Sequence, residues 1–309
     1  MNDLYGYLDK KCNKVPVVDY ECDNVTYYLR TFLLMYADDT ILLSESKKGL
    51  QELLNAYTDY CKNNRLRVNV QKTKIVVFGR RAHKPKCYIS GEEVEVVSSF
   101  KYLGITISNK GRYNSSIKEN VNKARRAFYS QMRHVKQNNL PLSTHIEMFL
   151  KAVDPILLFG SEIWGFENLA SLEKFRIRCL KTILHLKSST PDYMIYGELG
   201  ILPLEHDVKL RMINYWCKLI NEKAEKFSSI LYKIAKTKEA MGQCNSRWNQ
   251  FIGKIFGEAG FGYLWPMPNP ENEIIRKKKE IKQRISCIYL QDLKAEGANF
   301  SVKKHNTCG

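Results

Sequence analysis

Two runs of strand-forming apolar residues, Tyr27–Tyr36 and Thr40–Leu43, are parted by only Ala37-Asp38-Asp39. So short a polar break folds the runs back on each other as a β-hairpin. It also sets two carboxylates side by side at a tip, where they repel each other and where Asn or Gly would turn the chain more simply. The runs are almost wholly apolar, so both faces of the hairpin are expected to be covered, holding the pair rigidly at the edge of a buried sheet. Such a pair suits a hard divalent cation, because Mg²⁺ prefers carboxylate oxygens together with substrate phosphates. A two-metal site needs carboxylates that bridge both ions. A solvated turn is the plainer use of Asp-Asp alone, so the surrounding residues have to decide.

Residues 4–10 read as the last turns of a helix and 11–26 as polar and turn-rich. After the hairpin, Ser46 is placed to cap a helix over about 47–64. Leu50, Leu53, Leu54, Tyr57 and Cys61 recur at helical spacing and give that helix one apolar face. Strands are expected at Leu66–Val70, Ile75–Phe78, Tyr88-Ile89, Val94–Val97 and Tyr102–Ile107, with a turn at Ser90-Gly91. The chain to about residue 110 is therefore α+β, a small antiparallel sheet carrying a helix. From about 115 the pattern becomes helical, with Ile117, Val121, Ala124, Phe128 and Val135 marking one face of a helix over 115–138. Later helices are expected over about 171–187, 205–226 and 271–295, punctuated by Pro141, Pro155 and Pro191. Residues 241–270 read as irregular and 297–309 as a frayed tail. The expected divisions are 1–110, 111–190 and 191–309.

Charge is distributed unevenly. Residues 1–60 hold 6 basic and 10 acidic residues, whereas 61–140 hold 18 basic and 4 acidic, within a chain of net charge +17. An acidic segment beside a strongly basic one fits a carboxylate site next to a polyanion track. No apolar run approaches the ~20 residues of a membrane helix. The N-terminus lacks a basic region followed by an apolar stretch. Nine cysteines without a C-x-x-C pair read as reduced thiols. A nuclear or cytoplasmic protein, neither secreted nor membrane-bound, is expected. His305, Cys308 and Cys287 have spacing that fits no zinc motif. The run Arg276–Lys279 with Lys282 and Arg284 reads as a solvated face.

The string Phe32-Leu33-Leu34-Met35-Tyr36-Ala37-Asp38-Asp39-Thr40-Ile41-Leu42-Leu43 resembles the Tyr-Ala-Asp-Asp palm hairpin of reverse transcriptases, in the form found in non-LTR (LINE-type) retrotransposons. Leu66-Arg67-Val68-Asn69-Val70-Gln71-Lys72-Thr73 resembles the next palm motif, and Phe100-Lys101-Tyr102-Leu103-Gly104-Ile105-Thr106-Ile107 the primer grip. The order and spacing are also those of that family. Similarity at the motif level covers 27–110 and extends more loosely to about 205, through Leu158-Phe159-Gly160-Ser161-Glu162-Ile163-Trp164. The implied fold is a partial polymerase palm followed by a mostly helical thumb and a C-terminal extension.

The resemblance implies that Asp38 is the main ligand of catalytic Mg²⁺ and Asp39 a weaker one. It places Tyr36 and Ala37 against the primer terminus, Lys72 near the incoming dNTP triphosphate, and Asn69 as the residue that orients that loop. Tyr102, Leu103 and Gly104 become the primer grip, where glycine lets backbones approach closely. The 115–138 helix carries Lys118, Lys123, Arg125, Arg126, Arg133 and Lys136 with Tyr129 among them, and positions 118, 122, 125, 129, 133 and 136 share one stripe, suited to the phosphates of an RNA template and DNA primer.

One departure from the family pattern weighs against activity. A reverse-transcriptase palm needs a further aspartate on a separate upstream strand, a Gln-Gly segment and fingers. Asp3, Asp9, Asp19 and Asp23 precede the hairpin in helix-end or loop contexts. The chain therefore reads as the C-terminal part of an RNA-directed DNA polymerase, inactive alone, whose partner is the missing N-terminal half. The alternatives are a non-catalytic RNA/DNA-binding protein that uses the basic thumb, and an unrelated helical interaction protein.

Overall fold

The computed structural model describes residues 3–12, 16–22, 25–79, 85–220, 226–265 and 271–306. The chain parts into two compact units, Met1–Arg112 and Tyr113–Gly309.

The first unit is built on helix α2, Lys47–Asn63. Ser46 caps it as expected, its hydroxyl accepting a hydrogen bond from the Gly49 N–H at 3.1 Å. One side of α2 buries Leu53, Ala56, Tyr60 and Cys61 against Leu4 and Leu8 of α1 (Leu4–Lys11) and against Phe32. The other buries Leu54 with Ile75, Cys87, Ile89 and Val94. Among the described residues ten short strands form five two-stranded sheets. Strands β1 (Val17–Cys22) and β2 (Val25–Arg30) form one hairpin, and β3 (Leu33–Tyr36) and β4 (Asp39–Leu42) the next. Then come β5 (Ile75–Val76), β6 (Tyr88–Ile89), β7 (Glu92–Glu93), β8 (Val96–Val97), β9 (Ser99–Tyr102) and β10 (Ile105–Ser108). β5 pairs β8 in parallel, and the other pairs are antiparallel.

Several expectations are corrected here. Residues 17–30 are a hairpin rather than a loop, because Val17–Cys22 and Val25–Arg30 are rich in β-formers that pair residue for residue. One continuous antiparallel sheet does not form among the described residues; strands of two to six residues pair locally, and β3, β4, β5, β6 and β8 give side chains to the clusters around α2. Leu66–Val70 is not a strand. Arg65 takes a left-handed φ of 57°, and the Leu66 and Arg65 N–H groups return to the Cys61 and Lys62 carbonyls, closing α2 as a Schellman motif. The turn at Ser90-Gly91 stands, with φ of 51° and 87°.

The second unit is helical throughout. Its elements are α3 (Asn114–Gln137), α4 (Leu142–Met148), a π-helical turn (Phe149–Val153), α5 (Asp154–Leu157), α6 (Ser161–Trp164), α7 (Ala170–Ile183) and α8 (Asp192–Leu199). They are followed by α9 (Leu204–Leu219), α10 (Phe227–Ala240), α11 (Arg247–Glu258), a 3₁₀ turn (Gly262–Leu264) and α12 (Glu271–Asn306). Pro155 lacks an N–H and so leaves a carbonyl of the preceding turn unbonded, which accounts for the π turn before it. One apolar core runs from Ile117 to Ile285 with no break at 190. The expected irregular stretch 241–270 contains α11, whose Ile252, Ile255 and Phe256 pack against Trp216 and Trp265. The expected frayed tail is helix as far as Asn306; Cys308 lies outside the described residues.

Candidate active site

Leu33 faces Leu42, Leu34 faces Ile41, Met35 faces Thr40 and Tyr36 faces Asp39, so the hairpin turns on two residues, Ala37 and Asp38. Two-residue turns that match strand twist need a left-handed first residue, and Ala37 takes it with φ 54°. Alanine carries steric strain there that glycine would not. Asp38 is thus a turn residue and Asp39 the first residue of β4. The base of the hairpin joins the core: Phe32 is fully buried, and the Leu43 N–H bonds the Phe32 carbonyl at 2.8 Å. Tyr57 of α2 donates from its hydroxyl to Thr40 Oγ1 at 3.4 Å. That tie was not legible in the sequence, where Tyr57 is only one member of an apolar face. The tip, however, is open. Tyr36 is 64% exposed, and Ala37, Asp38 and Asp39 are exposed with it. The expectation of a pair covered on both faces fails: the tip is exposed from Tyr36 to Asp39.

Among the described residues neither Asp38 nor Asp39 makes a side-chain hydrogen bond or ion pair, so both carboxylates are uncommitted. Tyr102 is the one predicted partner whose electrostatics register Asp39. Burial, and then the Asp39 charge, raise its phenol above the ordinary value. Tyr102 ends β9, and Leu103-Gly104 make a two-residue turn with φ of 47° and 85°, so 102–107 is a hairpin rather than the single strand expected. The demand on Gly104 is positive φ.

Asn69 organises its own loop. Its Oδ1 accepts from the Lys72 N–H at 3.0 Å, and its carbonyl accepts from the Thr73 N–H at 3.0 Å and the Thr73 hydroxyl at 2.8 Å. Lys72 is left exposed and without an ion pair, whereas nearby Lys74 is paired to Glu95 at 2.6 Å. No hydrogen bond or ion pair joins Lys72 to either aspartate among the described residues.

No group of three or more His, Cys, Asp or Glu side chains is arranged to hold a metal among the described residues. Two adjacent, free, hard oxygen donors fit part of a Mg²⁺ coordination shell and leave most of it to other ligands. Asp3 and Asp9 are engaged elsewhere. Asp3 accepts from the Tyr60 hydroxyl at 2.5 Å, and that bond holds its carboxyl below the ordinary range. Asp9 is ion-paired to Arg30 at 2.7 Å, and Arg30 also donates to the Cys12 carbonyl. Asp19 lies on strand β1, contrary to the loop expected, and Asp23 lies outside the described residues.

In the second unit, α3 is two-faced as its periodicity demands. Ile117, Val121, Ala124 and Phe128 are buried, while Lys118, Arg125, Arg126, Tyr129 and Arg133 are all exposed. The run at 276–279 is not simply solvated: Lys277 donates to the Tyr263 hydroxyl at 2.7 Å and lies over that ring.

Comparison with known proteins agrees with these motifs. Residues 1–107 match the family described as reverse transcriptase (RNA-dependent DNA polymerase). The chain is 31% identical over 168 residues to the RNA-directed DNA polymerase from mobile element jockey of Drosophila melanogaster, covering 52% of this chain and 18% of that protein. It is 24% identical over 221 residues to the probable RNA-directed DNA polymerase from transposon BS of the same species, covering 65% and 24%. It is 22% identical over 234 residues to the retrovirus-related Pol polyprotein from type-1 retrotransposable element R2 of Popillia japonica, covering 71% and 47%. The chain thus spans less than half the length of these relatives. No solved structure matches it. Among the described residues no helix is long and apolar enough to cross a membrane.

Proposed function

We propose that this chain supplies the Tyr-Ala-Asp-Asp half of a nucleotidyl-transfer site in an RNA-directed DNA polymerase, a reading supported by the match of residues 1–107 to the reverse-transcriptase family and by the non-LTR, LINE-type relatives. The observation that carries the reading is the state of Asp38 and Asp39. They are adjacent, exposed and uncommitted, on a turn whose strands are anchored in a core. A folded protein gains nothing for its stability from two like charges held together in this way.

In this reading Asp38 and Asp39 hold the divalent ions, most simply Mg²⁺, together with a carboxylate from outside the described residues. The metal supplies charge neutralisation at the attacking and leaving oxygens. The chain's own groups position the reactants. Tyr36, 64% exposed beside the pair, offers a ring to the primer's terminal nucleotide. Lys72, held out by the Asn69 turn, faces the triphosphate of the incoming dNTP and neutralises or protonates its leaving group. Tyr102, Leu103 and Gly104 steady the primer backbone. The α3 stripe contacts template and primer phosphates. In this reading 1–110 is the palm, and the helical unit beyond it carries the thumb (111–190) and the extension (191–309) on one shared core. Without the third carboxylate, the 309-residue chain binds primer–template and does not extend it.

The test joins this chain to an upstream palm-and-fingers segment from a relative and follows primer extension on an RNA template with dNTPs and Mg²⁺. Asp38→Asn is expected to abolish extension while leaving primer–template affinity within about twofold. Extension by Asp38→Asn at the parental rate overturns the reading. A second reading, binding without catalysis, is favoured by the same incomplete ligand set; it prevails if the joined protein binds and never extends.

A further inference from the structure

Cations on the surface of the second unit fall into two classes. Some are paired: Lys123 with Glu119 at 3.6 Å, Lys151 with Glu147, Lys181 with Asp192 at 2.8 Å, Lys254 with Glu258 at 3.6 Å and Arg247 with Glu167 at 3.2 Å. Others are not, and a set of these lies on the outer sides of α3 and α7. Lys118, Arg125, Arg126 and Arg133 of α3, and Lys174 and Arg178 of α7, are exposed and have no ion pair or side-chain hydrogen bond among the described residues. Exposed ion pairs contribute little stability, so pairing elsewhere is not compelled by folding. Leaving six cations unpaired on one pair of helices maintains a positive field at the expense of self-repulsion.

The two rows adjoin. The Arg125 guanidinium lies 6.0 Å from the Phe175 ring of α7. Between the helices Cys179 is buried; burial and then Asp154 raise its thiol, while both Arg178 and Arg125 act to lower it. Lys174 and Arg178 are one turn apart on the outer side of α7, opposite its buried Leu172, Leu180 and Ile183. From Lys118 to Arg133, α3 runs about 22 Å, or roughly six base-pair steps of duplex.

We propose that Lys174 and Arg178 of α7 form a second row of phosphate contacts beside α3, so that a nucleic-acid backbone is held by two helices of this unit. The proposal rests on the nucleic-acid reading above and adds residues that neither motif nor periodicity singles out. An anionic membrane fits the face less well. Interfacial helices set apolar side chains beside their cations, and the large exposed apolar side chain of α3 and α7 is Tyr129, an amphipathic ring suited to stacking on a base.

The experiment measures binding of the full chain to a 20-base-pair RNA–DNA hybrid by fluorescence anisotropy across a salt series. Each lost phosphate contact lowers the slope of log K against log salt by about 0.9. Lys174→Ala/Arg178→Ala is therefore expected to lower the slope by about 2 and the affinity at ~0.1 M salt by 10- to 100-fold. The control, Lys151→Ala/Lys254→Ala, removes the same net charge from paired positions and is expected to leave the slope unchanged. Should the alanine pair melt early, Lys174→Gln/Arg178→Gln carries the same reading with side-chain length kept. Equal slopes for the α7 pair and the control overturn the proposal, as does binding to phosphatidylserine vesicles that matches the hybrid. If Arg125→Ala/Arg133→Ala lowers the slope and the α7 pair does not, this inference alone fails. If the α7 pair lowers it while Asp38→Asn leaves extension intact, the catalytic reading fails and this one stands.

Discussion

Arg176 is a buried charge that the helical unit holds fully paired. Its side chain is 3% exposed and Asp154's is 7%. Nε and Nη2 of Arg176 donate to the Asp154 carboxylate at 3.0 and 2.7 Å, and Nη1 donates to the Leu202 carbonyl at 2.7 Å. The cluster ties α5 and α7 to the segment that leads into α9. Arg176→Met keeps the volume and removes the charge, leaving a buried carboxylate and a carbonyl without their donor. Breaking such a pair costs about 3–5 kcal/mol. In a unit of roughly 200 residues that lowers Tm by about 6–20 °C at neutral pH. Burial pushes the Asp154 carboxyl up, and in the native protein Arg176 opposes it by charge and hydrogen bonds. In the variant burial and the Asp207 charge remain, both raising it, so the folded-state pKa lies above the unfolded one. That raised pKa contributes stability that is fully present below about pH 4 and is lost as pH rises through the shifted value. The deficit against the native chain is therefore largest at pH 7 and shrinks toward pH 4. Arg176→Met/Asp154→Leu should recover most of the loss, because two apolar groups leave no charge buried. Thermal melts followed by circular dichroism at pH 4, 5.5 and 7 decide. A drop under 2 °C at pH 7, or a double variant no better than the single, refutes the reasoning.

Two further outcomes follow from the first unit. Gly104→Ala meets a φ of 85° and should cost about 1 kcal/mol or more in urea unfolding, whereas alanine at exposed Gly6, within α1 and clear of neighbours, should be neutral or slightly stabilising. Tyr60, bonded to Asp3, has its phenol pushed up to about 12. Its contribution is complete below pH 10 and lost as pH rises through about 12; Tyr196 and Tyr289 are also raised, so the ultraviolet titration of Asp3→Asn should show one fewer late phenolate than that of the native chain.

Signals carried by neighbouring residues were legible. The Ser46 cap, the Ser90-Gly91 turn, the two-faced α3 and the hairpin at Ala37-Asp38 each depend on a few consecutive side chains, and each is seen. The hairpin at 17–30 was missed because its alternation is mixed with acidic residues and a polar turn. Helix α11 was missed because Gly253 and Gly257 interrupt its pattern. Gly253 is kept small by the Trp265 ring, 3.1 Å from where a Cβ would sit, a reason that lies outside α11 itself.

The order of amino acids by itself determined the hairpin that carries Asp38 and Asp39, the cap of α2 and the helical character beyond residue 113, since backbone sterics and periodicity act over a few residues. Only the tertiary structure decided that the hairpin tip stands open, that Asp3 and Asp9 are engaged by Tyr60 and Arg30, and that α7 sets its free cations beside those of α3. Those outcomes turn on which distant segments meet, and burial, pairing and charge are properties of the meeting rather than of either partner.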